Sequence, residues 1–170
     1  PMAYMIYTSG TTGQPKGTMV NHGGLCNLAE HAKKRYGINN QSRYLQALSF
    51  SFDAAGLDWM GTLLNGGELI IADGHSCVDP EALGGLIEKH QATHFCHVPT
   101  FATKIPVKYL YQLQVLLLGG EPIEPAIATA LASRCTLFNI YGPTENSIAS
   151  TDKLVTPQDS VITIGAPIKN

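Results

Sequence analysis

The sequence predicts an α/β fold, a layered structure in which a mostly parallel sheet is flanked by helices. Short apolar segments with the composition of buried strands alternate with segments whose apolar residues recur at helical spacing. The alternation continues along the whole chain, without an internal repeat or a low-complexity tract. Loops of small and polar residues follow several of the strands, and α/β folds bind their ligands at such strand ends.

The first half of the chain predicts strands and helices in alternation after an initial pair of strands. The apolar run 4–7 is typical of a buried strand. From His22 the apolar residues follow three-four spacing as far as Gly37, which favours the end of a helix. Asp53 stands where the N-cap of the next helix is expected. The strands predicted here are 4–7, 18–20, 43–49 and 68–72, and the helices are 22–36 and 54–64.

The second half continues the same alternation. Asp79 and Pro80 provide an N-cap and a first-turn proline for a helix. An apolar strand follows and is closed by Pro99, and a helix of small residues lies between two further strands. The strands predicted here are 93–98, 114–118, 136–141 and 161–164, and the helices are 80–90 and 125–132.

The loop that follows the first strand has the composition of a phosphate-binding loop. Residues 8–17 contain three glycines, four hydroxyl side chains and Lys16. Small residues leave consecutive backbone N–H groups uncovered, and such groups form an anion-binding nest. A lysine beside the nest adds a point charge suited to phosphate. The loop therefore predicts a polyphosphate site, most plausibly for ATP.

A Walker P-loop and a plain hairpin turn are the two alternatives to this polyphosphate loop. A Walker P-loop requires a second glycine where this chain has Pro15 and a hydroxyl residue where it has Gly17, and it requires a helix afterwards, whereas residues 18–20 predict a strand. The Walker interpretation therefore fails. A plain hairpin turn without a ligand remains open, although it does not require this density of glycine, hydroxyl and lysine.

Composition excludes several classes of protein. The chain has 170 residues and a net charge of −2, which argues against a basic nucleic-acid groove. It has neither an apolar segment long enough to span a bilayer nor a secretory signal pattern. Four scattered cysteines without a Cys-x-x-Cys pair favour a reducing compartment. We therefore expect a cytoplasmic protein with no nucleic-acid partner and no membrane partner.

The histidines do not predict a metal site. His94 and His97 lie on one predicted strand, three residues apart, and point to opposite faces of the sheet. They cannot easily share an ion, and buried or surface histidines are the simpler interpretation.

The segment 139–145 is a second chemical motif, in which a strand again breaks into a turn. Tyr141 offers a flat aromatic face for a base, Thr144 a hydroxyl for a phosphate oxygen, and Glu145 a hard oxygen ligand suited to Mg²⁺. By itself the segment is consistent with a strand ending in a Gly-Pro turn. We expect four loops to meet in one crevice: 8–17, 51–53, 119–121 and 142–145.

Taken together, these segments resemble the adenylate-forming superfamily, and most closely the adenylation domains of nonribosomal peptide synthetases. The resemblance covers the whole chain in family order, and the first and fourth segments are the specific ones. The matching segments are Tyr-Thr-Ser-Gly-Thr-Thr-Gly-Gln-Pro-Lys-Gly (7–17), Ser-Phe-Asp-Ala (51–54), Gly-Gly-Glu (119–121), Asn-Ile-Tyr-Gly-Pro-Thr-Glu (139–145) and Ile-Gly-Ala-Pro-Ile-Lys-Asn (164–170).

The resemblance implies that the chain is part of the large N-terminal subdomain of an enzyme that activates a carboxylic acid with MgATP and releases pyrophosphate. It implies catalytic roles for Lys16, Thr144 and Glu145, with Glu145 helping to hold Mg²⁺. The β- and γ-phosphates would lie on the first loop, adenine beside Gly120 and Glu121, and Tyr141 would stack on the base. The implied ATP-binding residues are Thr8, Ser9, Gly10, Thr11, Thr12, Gly13, Lys16, Gly120, Glu121, Asn139, Tyr141, Gly142 and Thr144.

The resemblance also implies an amino-acid substrate, because Asp53 occupies the position that pairs with the substrate's α-ammonium group. An ordinary N-cap aspartate is the alternative. The implied pocket positions are all small or apolar, so a charged substrate side chain would lack a partner. We therefore expect an apolar amino acid, aliphatic rather than large and aromatic. These positions are Ala54, Leu57, Cys96, Leu117, Gly119, Ile140, Ile148 and Ala149.

The resemblance further implies a carrier protein or domain bearing phosphopantetheine, and a condensation domain, as partners in the complete synthetase. Pro1 is not a start residue and the chain stops inside a turn, so we expect 1–170 to be a partial domain without the N-terminal portion and the C-terminal lid. We expect such a piece to have negligible turnover alone. An acyl- or aryl-CoA ligase of the same superfamily is the runner-up, and a noncatalytic nucleotide-binding module is the alternative from another class.

Overall fold

A computed structural model describes residues 1–8 and 13–169, and it has the α/β architecture that the sequence predicts. Of the residues expected to bind ATP, Ser9, Gly10, Thr11 and Thr12 lie outside the described residues. The strands are β1 (Met2–Thr8), β2 (Lys16–Asn21), β3 (Arg43–Gln46), β4 (Glu68–Ile71), β5 (His94–His97), β6 (Val115–Gly119), β7 (Thr136–Tyr141), β8 (Thr151–Val155) and β9 (Ala166–Pro167). The helices are α1 (His22–Arg35), α2 (Ala55–Leu63), α3 (Pro80–Lys89), α4 (Pro99–Ala102), α5 (Val107–Leu110), α6 (Pro125–Ala132) and the 3₁₀ helix Thr144–Asn146.

The main sheet has the strand order β4-β3-β5-β6-β7-β8-β9. The five strands from β4 to β7 in this order are parallel, and β8 and β9 extend the sheet antiparallel to β7. Strands β1 and β2 form a separate antiparallel pair. Because β5, β6 and β7 are parallel neighbours, the loops at their carboxyl ends meet at one edge of the sheet.

Side chains of the central strands alternate between two hydrophobic clusters, one on each face of the sheet. Leu116 and Leu118 pack on the face covered by α3, α5 and α6. Leu117 and Phe138 pack on the opposite face, under α1 and α2. This alternation explains why the strands read as continuous apolar runs, since both faces of a parallel sheet are buried.

Helix boundaries follow from local capping. The side chain of Asn21 accepts a hydrogen bond from the Gly24 backbone N–H at 3.0 Å and begins α1. Asp79 accepts from the N–H groups of Glu81 and Ala82 at 2.9 and 3.3 Å, which confirms the predicted start of α3. Each of these bonds satisfies a backbone donor that the helix itself leaves free.

The N-cap interpretation of Asp53 is wrong. Helix α2 begins at Ala55, and its N-cap residue is Ala54, whose methyl side chain cannot cap. The Asp53 side chain instead turns into the interior, where it is 6% exposed. Its stabilising contact comes from Thr144, ninety-one positions away in the sequence, so local pattern alone could not reveal it.

The strand predicted at 161–164 is also wrong. Val161 and Ile164 are 66% and 50% exposed and lie outside any strand. The sheet is completed instead by β8, which begins with polar residues and pairs with β7, and by the short β9. Helices α4 and α5 are not predicted from the sequence, because four residues are too few to show a helical repeat of apolar residues.

Among the described residues, no helix is both long enough and apolar enough to cross a membrane.

The two strand histidines have structural contacts on the sheet. The ring of His94 is buried, with its nitrogens 2.8 Å from Thr93 Oγ1 and 2.9 Å from the Tyr36 carbonyl oxygen. The His97 ring stacks on Phe101 at a centroid distance of 4.4 Å.

Candidate functional site

Three of the four loops expected to converge do meet, around a cleft at the carboxyl ends of β5, β6 and β7. The loop before α2, the Gly119–Gly120 turn and the turn after β7 each contribute to its wall. The cleft encloses about 40 Å³. It is lined by Leu48, Phe52, Asp53, Ala54, Cys96, His97, Val98, Gly119, Gly120, Ile140, Gly142 and Ile148.

Asp53 is the acidic group of this cleft. Burial raises the pKa of its carboxyl, while the hydroxyl of Thr144 and the backbone of Ala54 oppose the rise by stabilising the carboxylate. The negative charge of Glu145 adds to the rise. The carboxylate therefore lies beside Thr144 and Glu145. A cation brought into the cleft would be attracted to it.

The expected substrate-pocket residues divide into two groups. Ala54, Cys96, Gly119, Ile140 and Ile148 line the cleft together with Asp53. The remaining three are fully buried in the hydrophobic cluster on the same face of the sheet and support the wall from behind; they are Leu57, Leu117 and Ala149.

Two backbone features shape the apolar wall: a close approach of Gly119 to Ile140, and the left-handed conformations of Ser147 and Ile148. A Cβ atom on Gly119 would lie 2.6 Å from both Cγ1 and the carbonyl oxygen of Ile140, so only glycine fits there. Ile148 has a φ of 80°, a left-handed conformation that is strained for a β-branched residue. The preceding Ser147 has a φ of 57°, so two successive left-handed residues return the chain toward the cleft.

Of the residues expected to lie beside adenine, Gly120 lines the same cleft, and Glu121 and Tyr141 are chain neighbours of lining residues. Gly120 has a φ of 80°, which suits glycine, and Glu121 accepts a hydrogen bond from the Thr100 N–H at 3.1 Å. Tyr141 is 49% exposed and leaves part of its ring open to a ligand. Asn139 differs from these residues: it lies on β7 and donates its side-chain amide to the Thr163 carbonyl oxygen at 2.9 Å.

The turn after β7 has a steric requirement of its own. A Cβ atom on Gly142 would lie 2.4 Å from the carbonyl oxygen of Ile148 and 2.7 Å from Cα of Ala149. Gly142 therefore lets the two sides of the turn touch. This contact positions Thr144 and Glu145 next to the cleft.

The described ends of the glycine-rich loop lie on the β1–β2 hairpin. Thr8 donates its hydroxyl to the Lys16 carbonyl oxygen at 3.4 Å, and Gly13 has a φ of 81°. Strand β2, which begins at Lys16, contacts the 3₁₀ helix that carries Thr144 and Glu145. The hairpin and the second motif are therefore neighbours.

Within residues 1–8 and 13–169, no group of three or more His, Cys, Asp or Glu side chains forms a metal site. Glu145 is exposed and provides a hard carboxylate oxygen. Mg²⁺ is commonly held by one or two carboxylates together with substrate phosphates and water. This donor set fits Mg²⁺ carried by a nucleotide better than a metal held by protein ligands alone.

His97 and Val98 line the cleft but were not among the expected site residues. Burial lowers the pKa of His97 to about 4, so its imidazole is neutral at pH 7. The sequence signal for both was their place at the end of a strand, directly after Cys96. Ligands of α/β folds bind at the carboxyl ends of the parallel strands, so treating every residue at such an end as a candidate would have included both.

Comparisons with known proteins agree on one family. The family model described as "AMP-binding enzyme" matches residues 1–170. Tyrocidine synthase 3 of Brevibacillus parabrevis is 37% identical over 177 residues, which is 99% of this chain and 3% of that protein. Tyrocidine synthase 2 of the same organism is 34% identical, again over 99% of this chain, and the match covers 5% of its length.

A solved structure supports the same assignment. PA1221, a nonribosomal peptide synthetase protein containing adenylation and PCP domains, superposes with a TM-score of 0.87 at 30% identity. The superposition covers 98% of this chain and 30% of that one. The chain thus spans a small part of the proteins it matches. It belongs to the AMP-binding enzyme family, and within that family it corresponds to part of a nonribosomal peptide synthetase adenylation domain.

Proposed function

We propose that the complete protein activates the carboxylate of an apolar amino acid with MgATP, giving an aminoacyl adenylate and pyrophosphate. The observation that carries this proposal is the buried Asp53 carboxylate, which lies in a mostly apolar cleft beside Thr144 and Glu145. A site of this kind holds a cation at one end and apolar groups at the other. An amino acid has both features.

Asp53 pairs with the α-ammonium group of the substrate in this proposal. Burial raises the pKa of Asp53, and the ammonium group of the substrate would supply a counterion for its carboxylate. A substrate lacking the ammonium group would leave the carboxylate unpaired. Discrimination against such substrates can then be large, because a buried polar group without a partner is costly.

The wall of the cleft favours an apolar side chain. Ala54, Ile140 and Ile148 offer only hydrocarbon surface, and Cys96 offers a weakly polar thiol. Leu57, Leu117 and Ala149 support this wall from behind. We propose an aliphatic rather than a large aromatic side chain, because the branched side chains of Ile140 and Ile148 occupy part of the wall.

MgATP supplies the electrophilic phosphorus and the pyrophosphate leaving group, and the chain holds it between the two motifs. We assign the β- and γ-phosphates to the loop from Thr8 to Lys16, with Lys16 as the positive charge. We assign adenine to the rim formed by Gly120, Glu121 and Tyr141. Asn139 and Gly142 support this rim by fixing β7 and the turn that follows it.

In this proposal, Thr144 and Glu145 help to neutralise and position the negative charges that come together in the reaction. The attack of one anion on another requires charge neutralisation and positioning more than proton transfer. Glu145 would help to hold Mg²⁺, which would neutralise phosphate charge, and the Thr144 hydroxyl would hydrogen-bond the α-phosphate. Because Thr144 also contacts Asp53, it connects the amino-acid end of the cleft with the nucleotide end.

The proposed partners come from the proteins that this chain resembles. PA1221 contains a PCP domain beside its adenylation domain. The synthetase FmoA3, 28% identical with a TM-score of 0.83, has been solved with AMPPNP bound. We propose that the complete protein is cytoplasmic, that a C-terminal lid completes its site, and that it loads the phosphopantetheine of a carrier domain for use by a condensation domain.

Amino-acid-dependent ATP–pyrophosphate exchange by the complete protein tests this proposal. We expect exchange with aliphatic amino acids, and we expect Asp53→Ala to reduce it by at least 100-fold, because the ammonium group loses its partner. That loss corresponds to about 2.7 kcal/mol. Glu30→Ala, which removes an exposed carboxylate from α1, is the matched control. Exchange that depends on a fatty or aryl acid and is insensitive to Asp53→Ala would identify an acyl- or aryl-CoA ligase instead.

A further inference from the structure

A cluster of buried polar groups lies behind the cleft, outside the machinery proposed above. It comprises Tyr44 on β3, Asp58 and Thr62 on α2, and Cys96 on β5, and all four side chains are at most 2% exposed. The Tyr44 hydroxyl, both Asp58 carboxyl oxygens and the Thr62 hydroxyl reach no described hydrogen-bond partner. We call this set the Tyr44 cluster.

Unpartnered polar atoms in a protein interior require an explanation, because each can cost about 1–3 kcal/mol. The Tyr44 hydroxyl lies close enough to both Asp58 and Cys96 to affect the pKa of each side chain. Burial raises the pKa of Asp58 well above its usual range, which favours the uncharged carboxyl. An uncharged carboxyl can both donate and accept a hydrogen bond.

The cluster touches the cleft at one point, Cys96. This residue lines the cleft, and it belongs to the same buried cluster as Tyr44, whose strand β3 pairs with β5 in parallel register. The Tyr44 ring is held in place because it stacks on His94 at a centroid distance of 5.9 Å and an interplanar angle of 18°. His94 is itself fixed by the Tyr36 carbonyl oxygen at 2.9 Å. Cys96 therefore has in Tyr44 a neighbour whose ring is held in place.

We propose that Tyr44 and Asp58 are specificity-determining positioning residues that hold the Cys96 side chain at the inner end of the cleft and so limit the length of the substrate side chain. The inference rests on the proposed function, since it concerns which amino acid that site accepts. Neither residue touches the substrate. In this proposal Asp58 supports Tyr44, Tyr44 supports Cys96, and the Cys96 side chain limits the depth of the cleft.

The test measures kcat/KM for ATP–pyrophosphate exchange with valine and isoleucine, which differ by one methylene group, using the complete protein. A pocket of fixed depth discriminates between such homologues by about 10–200-fold. We expect Tyr44→Phe to reduce the ratio at least fivefold, because the thiol loses its support while the ring and its stacking remain. Cys96→Ala should reduce it similarly. The double variant should add little to either single change, because both act through one side chain.

Two further variants separate positioning from a general loss of stability. Tyr109→Phe removes a buried tyrosine hydroxyl from the opposite face of the sheet, where it bonds Glu81 at 2.9 Å, and should leave the ratio unchanged. Asp58→Asn keeps the shape and the hydrogen-bonding capacity of an uncharged carboxyl, and should retain most of the discrimination. Asp58→Leu should lose it as Tyr44→Phe does.

An unchanged ratio in Tyr44→Phe, or effects of Tyr44→Phe and Cys96→Ala that simply add, would overturn this inference while leaving the proposed function intact. Wild-type protein that exchanges pyrophosphate with no amino acid would instead overturn the proposed function. Equal ratio changes in Tyr44→Phe and Tyr109→Phe would show that the effect comes from stability alone, and would also overturn the inference.

Discussion

Replacing Asp152 by alanine should loosen the connection between the two motifs of the site. Asp152 lies on β8 and is 5% exposed. One of its carboxyl oxygens is 2.6 Å from His31 Nε2, and the other is 3.0 Å from both Nε and Nη2 of Arg35. These bonds join β8, which follows the second motif, to α1, which follows the glycine-rich loop.

The size of the effect follows from how exposed each partner is. The bond to His31 is buried and has a carboxylate acceptor, so it contributes about 1.5–3 kcal/mol. The Arg35 side chain is 40% exposed, and solvent screening limits its contribution to about 1 kcal/mol or less. We therefore expect Asp152→Ala to lower the local stability by about 2–4 kcal/mol.

Hydrogen exchange of the complete protein, followed by mass spectrometry, measures this local stability. At about 1.4 kcal/mol per factor of ten, protection of α1 and β8 should fall about 30- to 1,000-fold. Glu30→Ala is the matched control, since it removes an exposed ion pair with Lys34 on the same helix and should leave protection unchanged. Protection in Asp152→Ala within threefold of wild type would refute the reasoning.

The pH dependence provides a second check on Asp152. Burial alone would raise the pKa of its carboxyl, but the hydrogen bonds from His31 and Arg35 outweigh burial and lower it. The folded state thus binds this proton less readily than the unfolded state. The contribution of Asp152 is present above its unfolded pKa of about 3.8 and is lost as pH falls through the lower folded value. The difference between wild type and Asp152→Ala should therefore shrink in acid.

Three further substitutions have expected outcomes. Burial raises the pKa of Asp58 above 3.8, so the stability of the wild-type protein should decline as pH rises from about 4. In thermal unfolding, Asp58→Asn should not show this decline, and its unfolding midpoint at pH 7 should be higher than that of the wild type. Gly142→Ala forces a Cβ atom against the Ile148 carbonyl oxygen, so unfolding in urea should show a loss of about 1–3 kcal/mol, and pyrophosphate exchange should fall at least tenfold. Leu116→Ala empties a fully buried site and should cost about 2–5 kcal/mol in the same urea experiment, with no change in substrate preference.

The sequence predicted the elements whose cause is local. Strands β5, β6 and β7 were recognisable because a strand buried on both faces must be apolar throughout. Helix α3 was recognisable because Asp79 and Pro80 cap it within one turn. Strand β8 was missed because its polar residues are explained by distant contacts: Asp152 is buried only because α1 supplies His31 and Arg35, more than 110 positions away.

The same distinction applies to the site. The sequence placed Asp53, Gly119 and Ile140 at strand ends, and the structure brings them together in one cleft, because neighbouring parallel strands end at the same edge. It could not predict that Asp53 turns inward toward Thr144, since that contact depends on where two loops meet. The Tyr44 cluster was invisible for the same reason, because its members come from three elements that only the sheet order brings together.

The electrostatics of Asp53 connect the stability of the fold with the proposed function. Burial and the charge of Glu145 raise the pKa of Asp53, so above that pKa the free protein carries a carboxylate that it stabilises poorly. In the proposed function, an ammonium group in the cleft pairs with this carboxylate. Part of the binding free energy then comes from removing the unfavourable electrostatic energy of the unpaired carboxylate in the free protein. It follows that Asp53→Asn should stabilise the free protein at pH 7 while weakening amino-acid binding. A site that gains stability when its key group is removed has been shaped by its ligand rather than by the fold.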